Sequence, residues 1–446
     1  MVSALPESVF GTPDAGNTAW MLASASMVLL MTPALAFFYG GLARGKAVLN
    51  MMMMSFGAVA TVSVVYVLWG FSMSFGNTLT GDSDIGGIFS NPFSLFGSGQ
   101  LMNVGGTTES PSYVLWTGVD TKIPAVVFMA FQLTFAVITV ALISGAVAER
   151  VKFSTWLVFS VLWATIVYFP LSHMVWGGGI MSSAERGFAS WMFGSTDGVA
   201  NVAPIDFAGG TVVHINAGMA GLVLALVVGT RVGFGKTAYR PHNIPFVMLG
   251  AALLWFGWFG FNAGSELAAD MVAGKVWINT TAATAAAMIG WLAVEWVRDK
   301  HATSVGAASG IVAGLVAITP ACGALTPVGS LILGVIAGIL AALAVGLKNK
   351  FGYDDSLDVV GVHLVAGLWG TIGIGFLAEG TGLFWGGDYK QLVVQLVIAL
   401  FALAFTGVLT TIIALVLKPL GWRVASDEEK GGIDEAEHAE TAYELA

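Results

Sequence analysis

The chain has 446 residues, of which 56% are hydrophobic and only 10% are charged, and its formal net charge is -9. A soluble globular domain carries about 25% charged residues, so this chain has too few polar side chains to cover a water-facing surface. Its single cysteine, Cys322, excludes a disulfide framework and a cysteine-based zinc or iron-sulfur site. The composition therefore indicates a membrane protein.

Eleven stretches of the chain carry no charged residue, and each approaches or exceeds the roughly 20 apolar residues that a helix needs to cross a bilayer. No stretch alternates with a period of two over about 10 residues, as spanning β-strands do. We therefore expect an all-α polytopic membrane protein with eleven transmembrane helices. The stretches are 18–39, 48–76, 123–148, 153–176, 207–230, 244–265, 276–294, 302–319, 324–347, 359–378 and 391–417.

The connections between successive spans lie alternately on the two sides of the membrane, and the basic residues are distributed unequally between these sides. If the connection with Arg44 and Lys46 is cytoplasmic, 14 of the 18 Lys and Arg residues lie on that side. The positive-inside rule then predicts an N-terminus outside and a C-terminus inside. Only four basic residues lie on the opposite side, namely Lys122, Arg186, Lys275 and Lys390.

Two helix starts resemble each other and suggest an internal repeat. Asp206 precedes His214 by eight residues in the first, and Asp355 precedes His363 by eight residues in the second. Five spans separate the two starts, so the helices run in opposite directions, as in inverted-repeat transporters. The predicted organisation is an extracytoplasmic N-terminus (1–17), two five-helix halves (18–230 and 231–378), an eleventh helix (379–420) and an acidic cytoplasmic tail (421–446). A chance match is the alternative explanation.

The two histidines are expected to meet in the middle of the membrane. Eight residues at 1.5 Å rise place each imidazole about 12 Å beyond its aspartate, in a hydrocarbon core about 30 Å thick. A polar group at that depth is costly unless it faces a partner or a cavity. His214 and His363 therefore indicate a solute pathway, although a hydrogen-bonded core role is the simpler alternative.

Aromatic and hydroxyl residues share helix faces above this level. Phe131 and Phe135 are four residues apart on the third span, whereas Trp258, Phe261 and Ser265 follow one face of the sixth span. Trp176 and Ser265 end their spans at the outer mouth, and Phe135 and Phe261 lie further in. Ordinary core packing is the alternative for an aromatic stripe of this kind.

Such a path excludes bare ions. Moving an ion into a low-dielectric interior costs roughly 20 kcal/mol in the Born limit, whereas a cation–π contact with an aromatic face stabilises the ion by only about 0.5 to 2 kcal/mol. The path has no carboxylate ring or carbonyl filter. A solute that loses a proton at the mouth and crosses in neutral form avoids this cost, and neutral imidazoles can donate to it or accept from it. Ammonium meets these demands, and potassium and sodium do not.

No loop contains a phosphate-binding glycine motif, a metal-spacing cluster or a nucleophile elbow. We therefore expect no enzyme activity, no cofactor, no metal and no nucleic-acid partner.

The tail from Arg423 to Ala446 holds two basic and eight acidic residues, and this composition by itself is typical of a solvated, disordered segment.

These residues lie in motifs that resemble the family of ammonium transporters, methylammonium permeases and Rhesus proteins, and the bacterial branch in particular. The resemblance covers almost the whole chain. It is strongest in DFAGGTVVHINAG and WFGFNAGS and continues through TPALAFFYGGL, FQLTFA, ERVKFS, LSHMVWGGG, DDSLDVVGVH and GGIDEAEHAETAYE.

The resemblance implies an eleven-helix protomer in a homotrimer, with one ammonia path lined by the twin histidines His214 and His363 through each protomer. Phe135 and Phe261 would form a stacked gate. Asp206 would either cap a helix or take part in ammonium deprotonation or recruitment. The family's recruitment site falls on Phe135, Trp176 and Ser265, with Phe131 and Trp258 nearby.

The resemblance also implies a role for the tail. In similar transporters of the bacterial inner membrane, the tail packs under the trimer and transmits the binding of PII-type signalling proteins. Ala439 stands where the family pattern usually has glycine. The expected function is uptake of ammonium, with methylammonium as an analogue, in a protein surrounded by membrane lipids. A sensor that signals through its tail and a Rhesus-like neutral gas channel are the alternatives, and Trp176 and Ser265 argue against the latter.

Overall fold

The computed structural model describes residues 5–237 and 239–443, and its architecture is a bundle of eleven helices. Ten of them are long and apolar enough to cross a membrane, and Ser304–Ile318 is shorter. Each predicted span falls on one of these helices, which confirms the all-α polytopic membrane fold. In chain order they are Ala15–Leu42 (α1), Val48–Thr80 (α2), Ala125–Val147 (α3), Phe153–Trp176 (α4), Gly210–Val228 (α5), Ile244–Glu266 (α6), Met271–Asp299 (α7), Ser304–Ile318 (α8), Pro327–Phe351 (α9), Val360–Leu377 (α10) and Lys390–Val416 (α11).

Helix α8 has only 15 residues, fewer than the roughly 20 that a lipid-facing span needs. Every residue from Gly306 to Ile318 is buried. Because neighbouring helices surround α8, its length does not have to match the thickness of the lipid. The sequence predicts this helix correctly, and its burial explains why it can be short.

Successive helices run in opposite directions, so the connections form two faces. The N-terminal face holds residues 5–14 and the connections after α2, α4, α6, α8 and α10. The C-terminal face holds the other connections and the tail. In the part of the chain that the structure describes, five short strands lie on the N-terminal face: Phe10–Gly11 (β1), Val104–Gly106 (β2), Pro111–Val114 (β3), Ser195–Thr196 (β4) and Val199–Ala200 (β5).

These strands form two small antiparallel sheets, one with the order β1-β3-β2 and one that pairs β4 with β5. No sequence pattern predicted them. Strands of two to four residues are too short to show a period of two.

Both helices that carry the predicted histidines begin with a π-helical turn. These turns are Gly210–Ile215 in α5 and Val360–Val365 in α10. A π-helical turn is rare and is often found at a functional site. The two turns contain His214 and His363, so the resemblance between the two halves extends to an uncommon backbone conformation.

Helices α5 and α10 cross closely through a matched pair of glycines. A Cβ atom on Gly218 would lie 2.5 Å from the backbone nitrogen of Leu364, and one on Gly367 would lie 3.0 Å from Cβ of His214. Each glycine is four residues beyond its own histidine and faces the histidine segment of the other helix. The contacts run in opposite order along the two helices, as the predicted inverted repeat requires. Helix α11 is added after the repeat.

The acidic tail is folded against the C-terminal face, contrary to the solvated disorder that its composition alone favours. It forms two short helices, Ser426–Gly431 (α12) and Ile433–His438 (α13). Ala439 ends α13 with φ 55°, in the left-handed region that favours glycine. Residues 444–446 of the predicted tail lie outside the described part of the chain.

Tail carboxylates cap two membrane-spanning helices. Helices α2 and α4 begin without a capping side chain at the preceding residue. Asp434 instead accepts hydrogen bonds from the backbone nitrogens of Leu49 (3.1 Å) and Asn50 (2.8 Å), and Glu437 accepts one from Phe153 (2.7 Å). Free N–H groups at a helix start need acceptors. The tail is ordered because it supplies them.

Candidate functional site

A cavity of about 560 Å³ lies at the N-terminal face, and we call it the vestibule. It contains four of the five predicted recruitment residues and is bounded by α3, the ends of α4 and α6, and the connections after α2 and α4. Aromatic rings share its wall with polar side chains, so the vestibule offers both π faces and hydrogen-bonding groups. The residues used in the argument below are Phe131, Gln132, Phe135, Trp176, Asp206 and Ser265.

The vestibule residues are oriented by contacts with one another. The rings of Phe131 and Phe135 are 4.8 Å apart, and Phe135 meets the edge of Trp176 at 6.1 Å. The Trp176 indole nitrogen donates to the backbone oxygen of Asp206 at 2.9 Å. The Ser265 hydroxyl donates to the Phe261 carbonyl at 2.8 Å, so its lone pairs are left to accept from an N–H donor.

Two stacked phenylalanines close the inner end of the vestibule. The rings of Phe135 and Phe261 are 4.1 Å apart with an interplanar angle of 21°, and both side chains are buried. Phe135 lines the vestibule, whereas Phe261 lines a second space beneath it. The structure therefore brings the predicted gate pair together, in a position that separates the two spaces.

The second space, which we call the histidine void, has a volume of about 10 Å³ and is bordered by His214 and His363. The Nδ1 atoms of the two histidines are 3.4 Å apart, and their rings lie 5.6 Å apart at 19°. In a neutral pair, one Nδ1 carries a hydrogen and the other accepts it. Nε2 of His214 is buried and has no hydrogen-bond partner within the described protein. A void of this size holds about one small molecule such as water.

Trp258 is the one predicted recruitment residue that does not line the vestibule. Its ring lies 5.6 Å from that of His214 at 16°, and its indole nitrogen donates to the Thr319 hydroxyl at 2.8 Å. Trp258 precedes Ser265 by seven residues, which is about 10 Å along the helix axis. The two residues share a face of α6 but lie at different depths, so Trp258 borders the histidine void instead.

Asp206 is used as a helix cap. One carboxylate oxygen accepts from the backbone nitrogens of Gly209 (2.7 Å) and Gly210 (2.5 Å), and the other accepts from the nitrogen (2.8 Å) and the hydroxyl of Thr211. These donors fill roughly the four acceptor positions that a carboxylate has. Asp355 caps α10 in the same way through the nitrogens of Val359 and Val360.

Gln132 is a vestibule residue that sequence reasoning missed. The sequence contained a signal for it, because Gln132 is the only amide side chain in a span that is otherwise apolar or hydroxylic. It directly follows Phe131, which was assigned to the recruitment site. A polar side chain within a membrane span is costly unless it faces a partner or a pathway, so the sequence alone supports placing Gln132 in the vestibule wall.

A network of charged side chains occupies the C-terminal face. Arg231 binds Asp354 at 2.8 Å, and Glu149 pairs with Arg231 at 3.3 Å and with Arg44 at 2.8 Å. Burial alone would raise the pKa of Asp354, but the hydrogen bonds and charge of Arg231 lower it below the ordinary value. The tail joins this network through Glu429, which accepts from the backbone nitrogen of Val232 at 2.6 Å.

Residues 19–443 match the model of the Ammonium Transporter Family. An ammonium transporter of Mycobacterium bovis is 53% identical, covering 98% of this chain and 92% of the relative, and one of Bacillus subtilis is 44% identical, covering 96% and 98%.

Solved structures are similar throughout the fold. A protein described as Sensor Amt Protein has a TM-score of 0.81 at 28% identity, with 95% of this chain and 98% of that chain covered. Mep2 of Candida albicans has a TM-score of 0.79 at 29% identity, with coverages of 93% and 88%. By its sequence and its fold, this chain is a member of the ammonium transporter family.

Proposed function

We propose that this protein transports ammonium. The observation that carries the proposal is the buried pair of His214 and His363 beneath a stacked phenylalanine gate, in a chain whose relatives are named ammonium transporters. A path without charged groups at this depth favours a solute that can become neutral. Ammonium is such a solute, and a metal cation is not.

Recruitment takes place in the vestibule. The faces of Phe131, Phe135 and Trp176 attract a cation, and the Ser265 hydroxyl accepts one of its N–H groups. The cation gives a proton to solvent water at the vestibule, because the next step passes between apolar rings. Phe135 and Phe261 separate to admit ammonia, and in the resting arrangement they keep water out of the histidine void.

The histidines then conduct ammonia by exchanging hydrogen bonds with it. Each imidazole offers one donor and one acceptor, which matches a solute that has three N–H groups and one lone pair. The released proton crosses by a separate transfer, so net ammonium uptake is compatible with an ammonia path. We assign Asp206 to capping, since its oxygens are already occupied by backbone and hydroxyl donors.

We further propose a location and an assembly. The N-terminal face is outside and the C-terminal face is cytoplasmic in a bacterial inner membrane, as the distribution of basic residues favours. Three copies form a homotrimer with one path in each protomer, built from the halves 18–230 and 231–378. A PII-type signalling protein binds the C-terminal face and acts through the tail from Arg423.

Ammonium sensing through the tail is a second candidate function. Two observations favour it, namely the similarity to Sensor Amt Protein and the contacts that join the tail to α2 and α4. Growth of a transporter-deficient strain on limiting ammonium distinguishes the two functions. Restored growth supports transport, whereas a normal regulatory response without restored growth supports sensing.

The direct test is the electrical current of the full chain reconstituted in proteoliposomes. Ammonium and methylammonium should give saturable current, and potassium at the same concentration should give none. Current with potassium would contradict deprotonation at the vestibule. Ammonia flux without any ammonium-dependent current would instead identify a Rhesus-like neutral gas channel.

A further inference from the structure

The carboxamide of Gln132 lies in the vestibule wall without a hydrogen bond. The residue is 8% exposed, and its Oε1 atom is buried with no partner in the described protein. Gln132 lies on α3 between the two aromatic residues Phe131 and Phe135, and it lines the same cavity as Ser265. A polar side chain that is more than nine-tenths buried is thus present at the place where the substrate is expected.

Another buried glutamine in this protein, Gln395, is satisfied. Gln395 donates to the carbonyls of Ile205 (2.8 Å) and Thr371 (3.0 Å), and its oxygen accepts from the backbone nitrogen of Ile205 at 2.9 Å. An unsatisfied buried amide reduces stability. The Gln132 side chain therefore lacks the structural role that Gln395 has, and its oxygen is free to accept from a bound group.

We propose that Gln132 is a further substrate-binding residue: its carboxamide turns about its terminal torsion so that the oxygen faces the vestibule and accepts an N–H group of the cation. This inference rests on the proposed ammonium transport. Ser265 supplies a second acceptor, because its own hydrogen is donated to Phe261. Two acceptors from α3 and α6, together with the aromatic faces, hold a small cation by directed hydrogen bonds.

The geometry also defines a class of ligands. Two oxygen acceptors can satisfy a cation with at least two N–H donors, such as ammonium, methylammonium or dimethylammonium. Trimethylammonium has one N–H donor and can use only one of the two acceptors. Potassium has no directed donors and needs a larger set of oxygens to replace its hydration shell. Gln132 therefore favours cations by their number of N–H groups.

The test uses Gln132→Met, which has nearly the same shape without hydrogen-bonding groups, in the full chain reconstituted in proteoliposomes. Loss of a hydrogen bond to a charged ligand should raise the KM for methylammonium by about tenfold or more. The inhibition constant of trimethylammonium, measured against methylammonium uptake, should change by less than about threefold, because Ser265 still serves its single donor. The melting temperature of Gln132→Met should equal or exceed that of the wild type.

Gln132→Glu is the matched variant, because it keeps an oxygen acceptor at this position. Its KM for methylammonium should be at or below the wild-type value. An unchanged KM in Gln132→Met would overturn the inference. A lower melting temperature of Gln132→Met, with equal losses of affinity for methylammonium and trimethylammonium, would also overturn the inference, because it indicates a structural role. Wild-type protein without methylammonium uptake would instead contradict the proposed function itself.

Discussion

The Nδ1 atoms of His214 and His363 lie 3.4 Å apart, although 149 positions separate the two residues in the chain. Each histidine stands on a π-helical turn, and the two turns enter the membrane from opposite faces. The two halves of the protein therefore contribute equivalent groups to one buried pair. The arrangement gives a solute at this depth hydrogen-bond donors and acceptors without a fixed charge.

Replacement of either histidine by alanine should impair ammonium transport. His214→Ala or His363→Ala removes one donor and one acceptor from the histidine void, and methylammonium current should fall by about tenfold. Reconstituted protein gives the measurement, and His301→Ala, at an exposed position on the C-terminal face, is the control. Normal current and normal ammonium selectivity in both pore variants would refute the role assigned to the pair.

The crossing of α5 and α10 should be intolerant of a methyl group. Gly218→Ala would place Cβ 2.5 Å from the Leu364 backbone, so the helices must separate, at a cost of about 1 to 3 kcal/mol. Transport should fall as the histidine pair is disturbed. Thermal unfolding in detergent measures the stability loss. Gly274→Ala in α7 meets open space and should be neutral or stabilising, and equal effects of the two substitutions would be inconsistent with the packing argument.

Removal of a tail carboxylate should loosen the start of α2. Asp434→Ala leaves the backbone nitrogens of Leu49 and Asn50 without acceptors, at a cost of about 1 kcal/mol. Hydrogen exchange should then become faster both in residues 433–443 and in the first turn of α2. Glu435→Gln changes an exposed neighbour and serves as the control. Faster exchange in the tail alone would show that the cap does not couple the two segments.

Asp84 should contribute to stability at neutral pH. Its carboxylate accepts from the His173 ring at 2.8 Å and pairs with Arg186, which also donates to the Gly178 carbonyl in the vestibule wall. Burial raises the pKa of Asp84, but the hydrogen bonds from His173 and Arg186 outweigh it and lower the pKa below 3.8.

The direction of the pH effect follows from that lowered pKa. The stabilisation is present above the unfolded value of 3.8 and is lost as the pH falls through the lower folded value. Asp84→Asn should lose about 2 kcal/mol at pH 7, with the difference from the wild type shrinking below about pH 4. The exposed Asp120→Asn is the control. A difference that grows on acidification would show that the sign is wrong.

Uptake should depend on ionic strength because the charge is unevenly distributed. The N-terminal face carries thirteen carboxylates and four Lys or Arg residues, whereas the described part of the C-terminal face carries thirteen and fourteen. A face with net charge -9 attracts cations, and salt screens that attraction within about 10 Å at 0.1 M.

Methylammonium uptake at low substrate concentration should therefore fall by at least about twofold between 10 and 200 mM added salt. Uptake at saturation should change little. A variant in which three exposed carboxylates are neutralised, Glu109→Gln with Asp120→Asn and Glu185→Gln, should show a weaker dependence on salt. Equal dependence in this variant and the wild type would mean that the surface field does not steer the substrate.

The sequence by itself determined the membrane architecture. Charge-free stretches set the helices, because a bilayer admits few charged groups and requires about 20 apolar residues per span. The matched spacing of Asp206 to His214 and of Asp355 to His363 was enough to predict the inverted pair, because equal spacing places the two histidines at equivalent positions in the two halves.

Only the tertiary structure decided the depth of Trp258, the partners of Asp206 and the order of the tail. Helical spacing reports which face a residue occupies, but two residues on one face can lie about 10 Å apart along the axis, as Trp258 and Ser265 do. The tail is ordered by its hydrogen bonds to the starts of α2 and α4, which lie 384 and 284 residues earlier in the chain. Local composition does not record such partners, because long-range contacts exist only once the helices have packed.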